Sequence, residues 1–313
     1  MNTAEKKVLI LTDGKAGHEN QSKAFARGLG FNYDVVKVSY KGRASKLLSY
    51  FFDRFNILCE SLFEILDESA QVLLNDPSKY IAVVGAGSGT FYPVKVIAKR
   101  LGVKSGVVLY PRGYNLSTFD CVLSPAFDRP KSGSNIVVIP ANLVAADEAF
   151  YEKGVSDYRL RTSVNPDISV IIGGPNKCST MTVEWMRAKL DMIFSEPGIK
   201  VVTTSRRTPD DVEALVDSYP WDWKLIYSRD SFNPIPAFVK LSKRIYVTAE
   251  STGMLSECCT FGSAEVKALD NLNPETSKFR RFLDILRNEG YVDGSKKIDL
   301  SREFSKARAL MGV

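Results

Sequence analysis

The chain has 313 residues, about twice the usual single-domain length, so two domains of roughly 150 residues each are expected. Hydrophobic residues make up 44% and charged residues 25%, which excludes a disordered or collagen-like chain, and no apolar run approaches the roughly 18 residues that would signal a membrane span. The net charge of +6 is spread along the sequence with no basic stretch interleaved with aromatics, so no nucleic-acid partner is expected; an anionic small ligand or membrane surface accounts for the excess. Five cysteines (Cys59, Cys121, Cys178, Cys258 and Cys259) without a C-x-x-C spacing suit buried thiols in a reducing compartment. A single histidine, His18, argues against an ordinary zinc site. The opening residues lead into Val8–Leu11 with no apolar leader, so the expectation is a cytoplasmic protein, peripheral at most to the inner face of a membrane.

In chain order, short Val/Ile/Leu runs alternate with helical patterns. The first series of strand-like runs covers 8–11, 35–38, 81–84, 107–110, 121–123 and 136–139; the second covers 168–172, 201–204, 224–227, 245–248 and 264–269. Continuous runs of this length suit parallel strands buried on both faces. The polar stretch Tyr151–Pro166 reads as a linker, giving domains at 1–150 and 167–313. The predicted class is α/β: two tandem Rossmann-like domains with parallel sheets and a cleft between them. Leu47, Leu48, Phe51, Phe52, Phe55, Leu58, Leu62, Ile65 and Leu66 recur at three- and four-residue spacing and predict one long helix packed on the first sheet. A sharper reading of that helix is an apolar face for a lipid-linked substrate or the bilayer surface, flanked by Lys41, Arg43, Lys46 and Arg54. Residues 273–313 read as helical, with Phe279, Phe282, Leu283, Leu286 and Tyr291 as an apolar stripe, and are expected to cross back to the first domain.

In doubly wound sheets ligands bind beyond the carboxyl ends of the strands, so the strand-to-helix turns are the candidate sites. The first, Asp13-Gly14-Lys15-Ala-Gly17-His18-Glu-Asn-Gln21-Ser22, places a histidine where a strand hands over to a helix. With an unperturbed pKa of about 6.5, His18 is the side chain suited to act as a base near neutral pH, held by Asp13. The second, Gly85-Ala-Gly87-Ser-Gly89-Thr90, lacks the third glycine of a dinucleotide fingerprint, so backbone contact with a ligand is expected but an NAD site is not. In the second half, Gly173-Gly174 follows one strand, and Thr204-Ser205-Arg206-Arg207-Thr208-Pro209 follows the next as a candidate phosphate cradle. Glu250-Ser251-Thr-Gly-Met254-Leu-Ser256-Glu257 follows a third; there a helix start would face an anion and Glu257 would accept ribose hydroxyls. No D-x-D occurs in the chain, so no metal-held diphosphate is expected.

The stretches Asp13–Ser22, Ser205-Arg-Arg-Thr-Pro209 and Val247-Thr-Ala-Glu-Ser251, with Met254, Ser256 and Glu257, resemble the Elm-type mitochondrial fission protein family, which includes the plant elongated-mitochondria protein and bacterial relatives. Gly85-Ala-Gly87, Pro111, Asp120, Pro125, Asp128, Gly173-Gly174 and Asn233-Pro234 fit the same pattern. The sequence departs from it at Glu250, where an aspartate is usual, and at Thr260-Phe-Gly-Ser-Ala264. The resemblance implies a GT-B glycosyltransferase-like protein with a nucleotide-sugar site in its second domain. The turn at 14–18 is also similar to the acceptor-side loop of the lipid II-forming MurG enzyme, which implies an acceptor near His18.

The resulting expectation is a metal-independent transferase with no cofactor beyond its nucleotide mono- or diphosphate sugar donor, acting on a glycan or lipid-linked acceptor. Asp13 and His18 would be catalytic. Gly14, Lys15, Gly17, Gln21, Ser22, Gly85 and Gly87 would hold the acceptor side; Gly173, Gly174, Thr204, Ser205, Arg206, Arg207, Thr208, Glu250, Ser251, Met254, Ser256 and Glu257 would hold the donor side. The competing expectation is a membrane-surface adaptor of organelle or envelope morphology with a vestigial nucleotide pocket, touching the membrane through Leu47–Leu66.

Overall fold

Each of the eleven Val/Ile/Leu runs becomes a strand with parallel neighbours in the computed structural model, which describes residues 6–66, 74, 76–275 and 277–313. The chain divides into two units, Met1–Ala145 with Leu300–Val313, and Ala146–Asp299.

In the first unit β1 (Lys7–Thr12), β2 (Tyr33–Tyr40), β3 (Phe63–Ile65), β4 (Tyr80–Ala86), β5 (Lys104–Val108), β6 (Cys121–Pro125) and β7 (Ile136–Ile139) form a sheet of order β3-β2-β1-β4-β5-β6-β7. Only β3 runs antiparallel. Along β1, Leu9 and Leu11 enter one core with Val83, Tyr92 and Ile97, while Val8 and Ile10 enter the other with Phe25, Val84 and Met311. Both faces are dry, which is why the strand reads as an unbroken apolar run. Its helices include α1 (Ala16–Leu29), α2 (Arg43–Arg54) and α3 (Phe91–Leu101); α1 and α3 each end on a left-handed glycine, Gly30 and Gly102.

The second unit builds a five-stranded, wholly parallel sheet from β8 (Ile168–Ile171), β9 (Lys200–Thr203), β10 (Trp223–Leu225), β11 (Arg244–Thr248) and β12 (Glu265–Leu269), in the order β10-β9-β8-β11-β12. Its helices are α4 (Glu148–Arg159), α5 (Val183–Phe194), α6 (Asp210–Ser218), α7 (Ile235–Leu241), α8 (Thr252–Thr260) and α9 (Lys278–Asn288). The last helix, α10 (Ser301–Met311), belongs to the first unit: Lys306 donates to the Ile136 carbonyl at 2.9 Å and Arg308 to that of Gly28 at 2.8 Å.

Three sequence readings need correction. The stretch 151–166 is not a linker, because Glu148–Arg159 is helical and buries Tyr151 and Tyr158 completely; the chain passes between units at 145/146 and 299/300. The apolar period from Leu47 to Leu66 is not one helix. Asn56 takes a left-handed φ of 54° just after α2, and the rest forms a short turn and β3. Of the C-terminal helices only α10 returns, whereas α9 buries Phe282, Leu283 and Leu286 within the second unit.

Candidate functional site

Each sheet has one point where successive connections leave in opposite directions, and the turns beside such a switch point are where doubly wound folds bind ligands. In the first unit it lies between β1 and β4, and in the second between β8 and β11. The sequence-selected glycine turns flank both.

At the first switch point Asp13 directly follows β1 and His18 lies in the first turn of α1. His18 Nδ1 lies 3.0 and 3.1 Å from the two Asp13 carboxylate oxygens. A carboxylate only accepts, so Nδ1 carries the proton and, in the neutral ring, Nε2 keeps its lone pair. Burial pushes the Asp13 carboxyl up, but the His18 charge, the His18 hydrogen bond and contacts with Lys15 outweigh it and hold the group below 3.8. The second glycine turn makes room for this pair: a Cβ on Gly87 (φ +81°) would lie 2.3 Å from the His18 ring, and one on Gly89 would lie 2.7 Å from Asp13. Gly85 is packed against Thr90 and Val94 instead. Gly14 (φ +81°) lies under the end of Lys37, Lys15 reaches Asp13 at 3.3 Å, and Gly17 faces open space.

Two residues expected to hold the acceptor are occupied elsewhere. The Gln21 amide exchanges two hydrogen bonds with the Leu143 backbone, at 2.7 and 3.0 Å, and buried Ser22 donates to the His18 carbonyl. Both tie α1 in place. Two lysines not expected at this site reach the same crevice: Lys37 over Gly14, and Lys46, read from sequence only as a flank of the apolar helix, which donates to Ser88 at 2.9 Å. The signal for Lys37 was available, because a residue late in β2 must lie beside the end of β1.

At the second switch point the Gly173-Gly174 turn is clamped from both sides. Thr248 Oγ1 accepts from the Gly173 N–H and Glu250 Oε1 from the Gly174 N–H, each at 2.8 Å, while buried Glu250 Oε2 has no hydrogen-bond partner among the described residues. A Cβ on Gly174 would lie 2.0 Å from the Arg207 carbonyl oxygen, so the arginine turn abuts the glycine pair. Arg206 and Arg207 are exposed and have no carboxylate partner among the described residues.

The proposed phosphate cradle at 204–209 is largely used up by the fold. Thr204 donates to Glu213 at 2.6 Å and accepts from the Tyr227 N–H, and Thr208 accepts from the Ser205 N–H and donates to the Gly173 carbonyl. Ser205 itself accepts from the Arg207 N–H. The first turn of α6 carries Asp210, Asp211 and Glu213, which already answer its helix dipole and repel an anion. The start of α8 differs: its first turn holds no acidic residue, Ser251 does not cap it, and Gly253 opens on free space. Of the two helix starts, this one has the unbonded N–H groups and the charge that suit an anion. Within α8, Met254 is half-buried, whereas Ser256 is buried and donates to the Thr252 carbonyl. Glu257 accepts from the Tyr151 hydroxyl at 3.1 Å, and burial raises its carboxyl above 4.5.

A depression of about 380 Å³ bounded by Asp167, Glu196, Gly198, Lys243 and Arg244 lies at the opposite, N-terminal edge of the second sheet. Its charges are paired with one another, Lys243 with Asp167 and Arg244 with Glu196.

Comparison with known proteins shows what this architecture shares. A Listeria monocytogenes protein described as a UDP-N-acetylglucosamine 2-epimerase superposes with a TM-score of 0.53 at 14% identity, over 97% of this chain and 91% of that one; at that identity the likeness shows the fold alone. Acinetobacter baumannii MurG (TM-score 0.48, 15% identity, 98% and 92% covered) and Escherichia coli ADP-heptose LPS heptosyltransferase II (0.46, 13%, 97% and 98%) are more distant. No protein of curated function matches the sequence. The model of one family, mitochondrial fission ELM1, matches residues 16–305, and the chain belongs to that family.

Proposed function

We propose that the protein transfers a sugar from a nucleotide-sugar donor, held by the second unit, to a glycan or lipid-linked acceptor whose hydroxyl is activated by the first. The observation that carries this reading is the second switch point. There two arginines without a carboxylate partner among the described residues and a helix start with no acidic residue in its first turn lie on turns beside Gly173-Gly174, whose own N–H groups are taken by Thr248 and Glu250. That is the chemistry a diphosphate needs: backbone N–H groups for its oxygens and guanidiniums for its charge. The fold shared with a protein named for a UDP-sugar supports the same class of ligand.

His18 Nε2 would take the proton of the acceptor hydroxyl as its oxygen bonds the anomeric carbon and the bond to the donor phosphate breaks. The imidazolium so formed would be stabilised by Asp13. Arg206, Arg207 and the N–H groups of Thr252 and Gly253 would take up the charge on the departing nucleotide, the largest catalytic contribution expected of such a site. The reaction is proposed to need no metal or cofactor. A lipid-linked acceptor would bring the enzyme to a membrane surface; among the described residues no helix is long and apolar enough to cross one.

The test is a thermal-shift panel of UDP, GDP, CMP and dTDP with their sugars, with and without EDTA. A ligand at about 100 times its Kd stabilises the native state by about 2.7 kcal/mol. A hit that survives EDTA and is lost in the Arg206→Ala, Arg207→Ala double variant supports the reading. A flat panel favours the membrane-surface adaptor, and release of free, altered sugar without acceptor favours an epimerase or hydrolase.

A further inference from the structure

Helix α2 leaves most of its apolar residues outside. The side turned to the protein carries buried Ser49 and Asp53 between half-buried Tyr50 and Phe52, which pack on the core. The Ser49 hydroxyl donates to the Lys46 carbonyl and meets the Tyr114 hydroxyl at 3.1 Å. Asp53 accepts from the Asn115 N–H at 2.5 Å and from the ammonium of Lys95, itself buried. The side turned to solvent is apolar, with Leu47 70%, Phe51 55% and Phe55 59% exposed, and Ile57 and Leu58 extend it past the helix end. An amphipathic helix normally buries the opposite face. Here the buried ion pair holds it the other way, because turning α2 to hide its leucines would leave buried Lys95 without its carboxylate.

The exposed charges carried by this segment itself have one sign, and exposed Glu60 just beyond it is paired with Arg100. Between Lys41 and Leu58 the exposed charges are Lys41, Arg43 and Arg54, with Lys46 half-buried; the only acidic residue, Asp53, is buried against Lys95. Such a rim repels a second copy of itself and suits a negatively charged surface. We propose that α2 and the following Phe55–Leu58 dock the first unit on an anionic phospholipid bilayer. Leu47, Leu48, Phe51 and Phe55 enter the boundary between headgroups and acyl chains, while Lys41, Arg43 and Arg54 meet lipid phosphates. The inference rests on the first unit alone and does not depend on the donor reading. Because Lys46 of the same helix donates to Ser88 beside the His18 turn, docking sets that crevice at the lipid interface.

The experiment is co-sedimentation of the full chain with vesicles of phosphatidylcholine alone or mixed with phosphatidylglycerol. Wild type is expected to bind the mixed vesicles at least about tenfold more tightly, with the preference shrinking as salt is raised. The Leu47→Ser, Phe51→Ser variant should lose at least about tenfold in binding without melting earlier, since neither side chain is core. Arg43→Gln with Arg54→Gln should lose the preference for phosphatidylglycerol. Failure of wild type to bind either vesicle, or undiminished binding by the serine variant, would overturn the proposal. So would a lipid-free dimer that the serine variant turns into a monomer, which would make this face an interface between copies.

Discussion

The two switch points occupy the same topological address and are furnished in opposite ways. Beside β1 and β4 the turns converge on titratable side chains, with His18 on Asp13 and Lys15, Lys37 and Lys46 around them. Beside β8 and β11 the side chains of Thr204, Thr208, Thr248 and Glu250 each bond the protein's own backbone, leaving the N–H groups at the start of α8 and two exposed arginines. On the proposed reading one crevice would move a proton and the other would hold an anion. The difference shows why a tandem Rossmann-like chain can divide activation and binding between its halves.

The strongest way to break this contrast is His18→Ala. Transfer should fall by about 10²–10⁴-fold, the usual share of a general base, with nucleotide affinity unchanged. An equal loss of affinity would mean that the two crevices do not divide the work. Next comes Gly253→Asp, which adds a carboxylate in open space at the start of α8. Nucleotide affinity should drop at least about tenfold, or roughly 1.4 kcal/mol, while the helix itself is not destabilised. Gly87→Ala should then cost about 1–2 kcal/mol for its left-handed backbone and slow transfer by pushing the His18 ring aside, measurable by urea unfolding and turnover in parallel.

The smallest effects are in pH dependence and have opposite signs in the two units. Asp13 is held below 3.8, so its contribution to stability is complete above that value and is lost as pH falls through its folded pKa; Asp13→Asn should flatten the acid limb. Glu257 is raised above 4.5, so its contribution is complete below that value and is lost as pH rises through its folded pKa. Glu257→Gln mimics the protonated form and should be slightly the more stable protein at pH 7, with a flatter profile just above pH 4.5. Thermal melts across pH 3–8 read both.

The strands were legible because both faces of each sheet are buried, as the split of β1 between two cores shows. Helical periodicity at Leu47–Leu66 revealed amphipathicity but not which face is buried, and Asn56 ends the helix without a glycine or proline to announce it. Charge alone made 151–166 look like a linker, although Tyr151 and Tyr158, seven residues apart, mark the buried side of a helix. At the sites, residue type located the turns correctly but could not say whether a hydroxyl serves a ligand or the backbone. Ser22, Thr204, Thr208 and Ser256 serve the backbone, and Gln21 does the same through its amide.

The most direct test of the division between crevices is calorimetric titration of the nucleotide identified by the thermal-shift panel into wild type, His18→Ala and Gly253→Asp. Equal affinity for wild type and His18→Ala, with binding lost only in Gly253→Asp, is the predicted result. Binding that survives Gly253→Asp but not His18→Ala would place the nucleotide in the first unit and contradict the account.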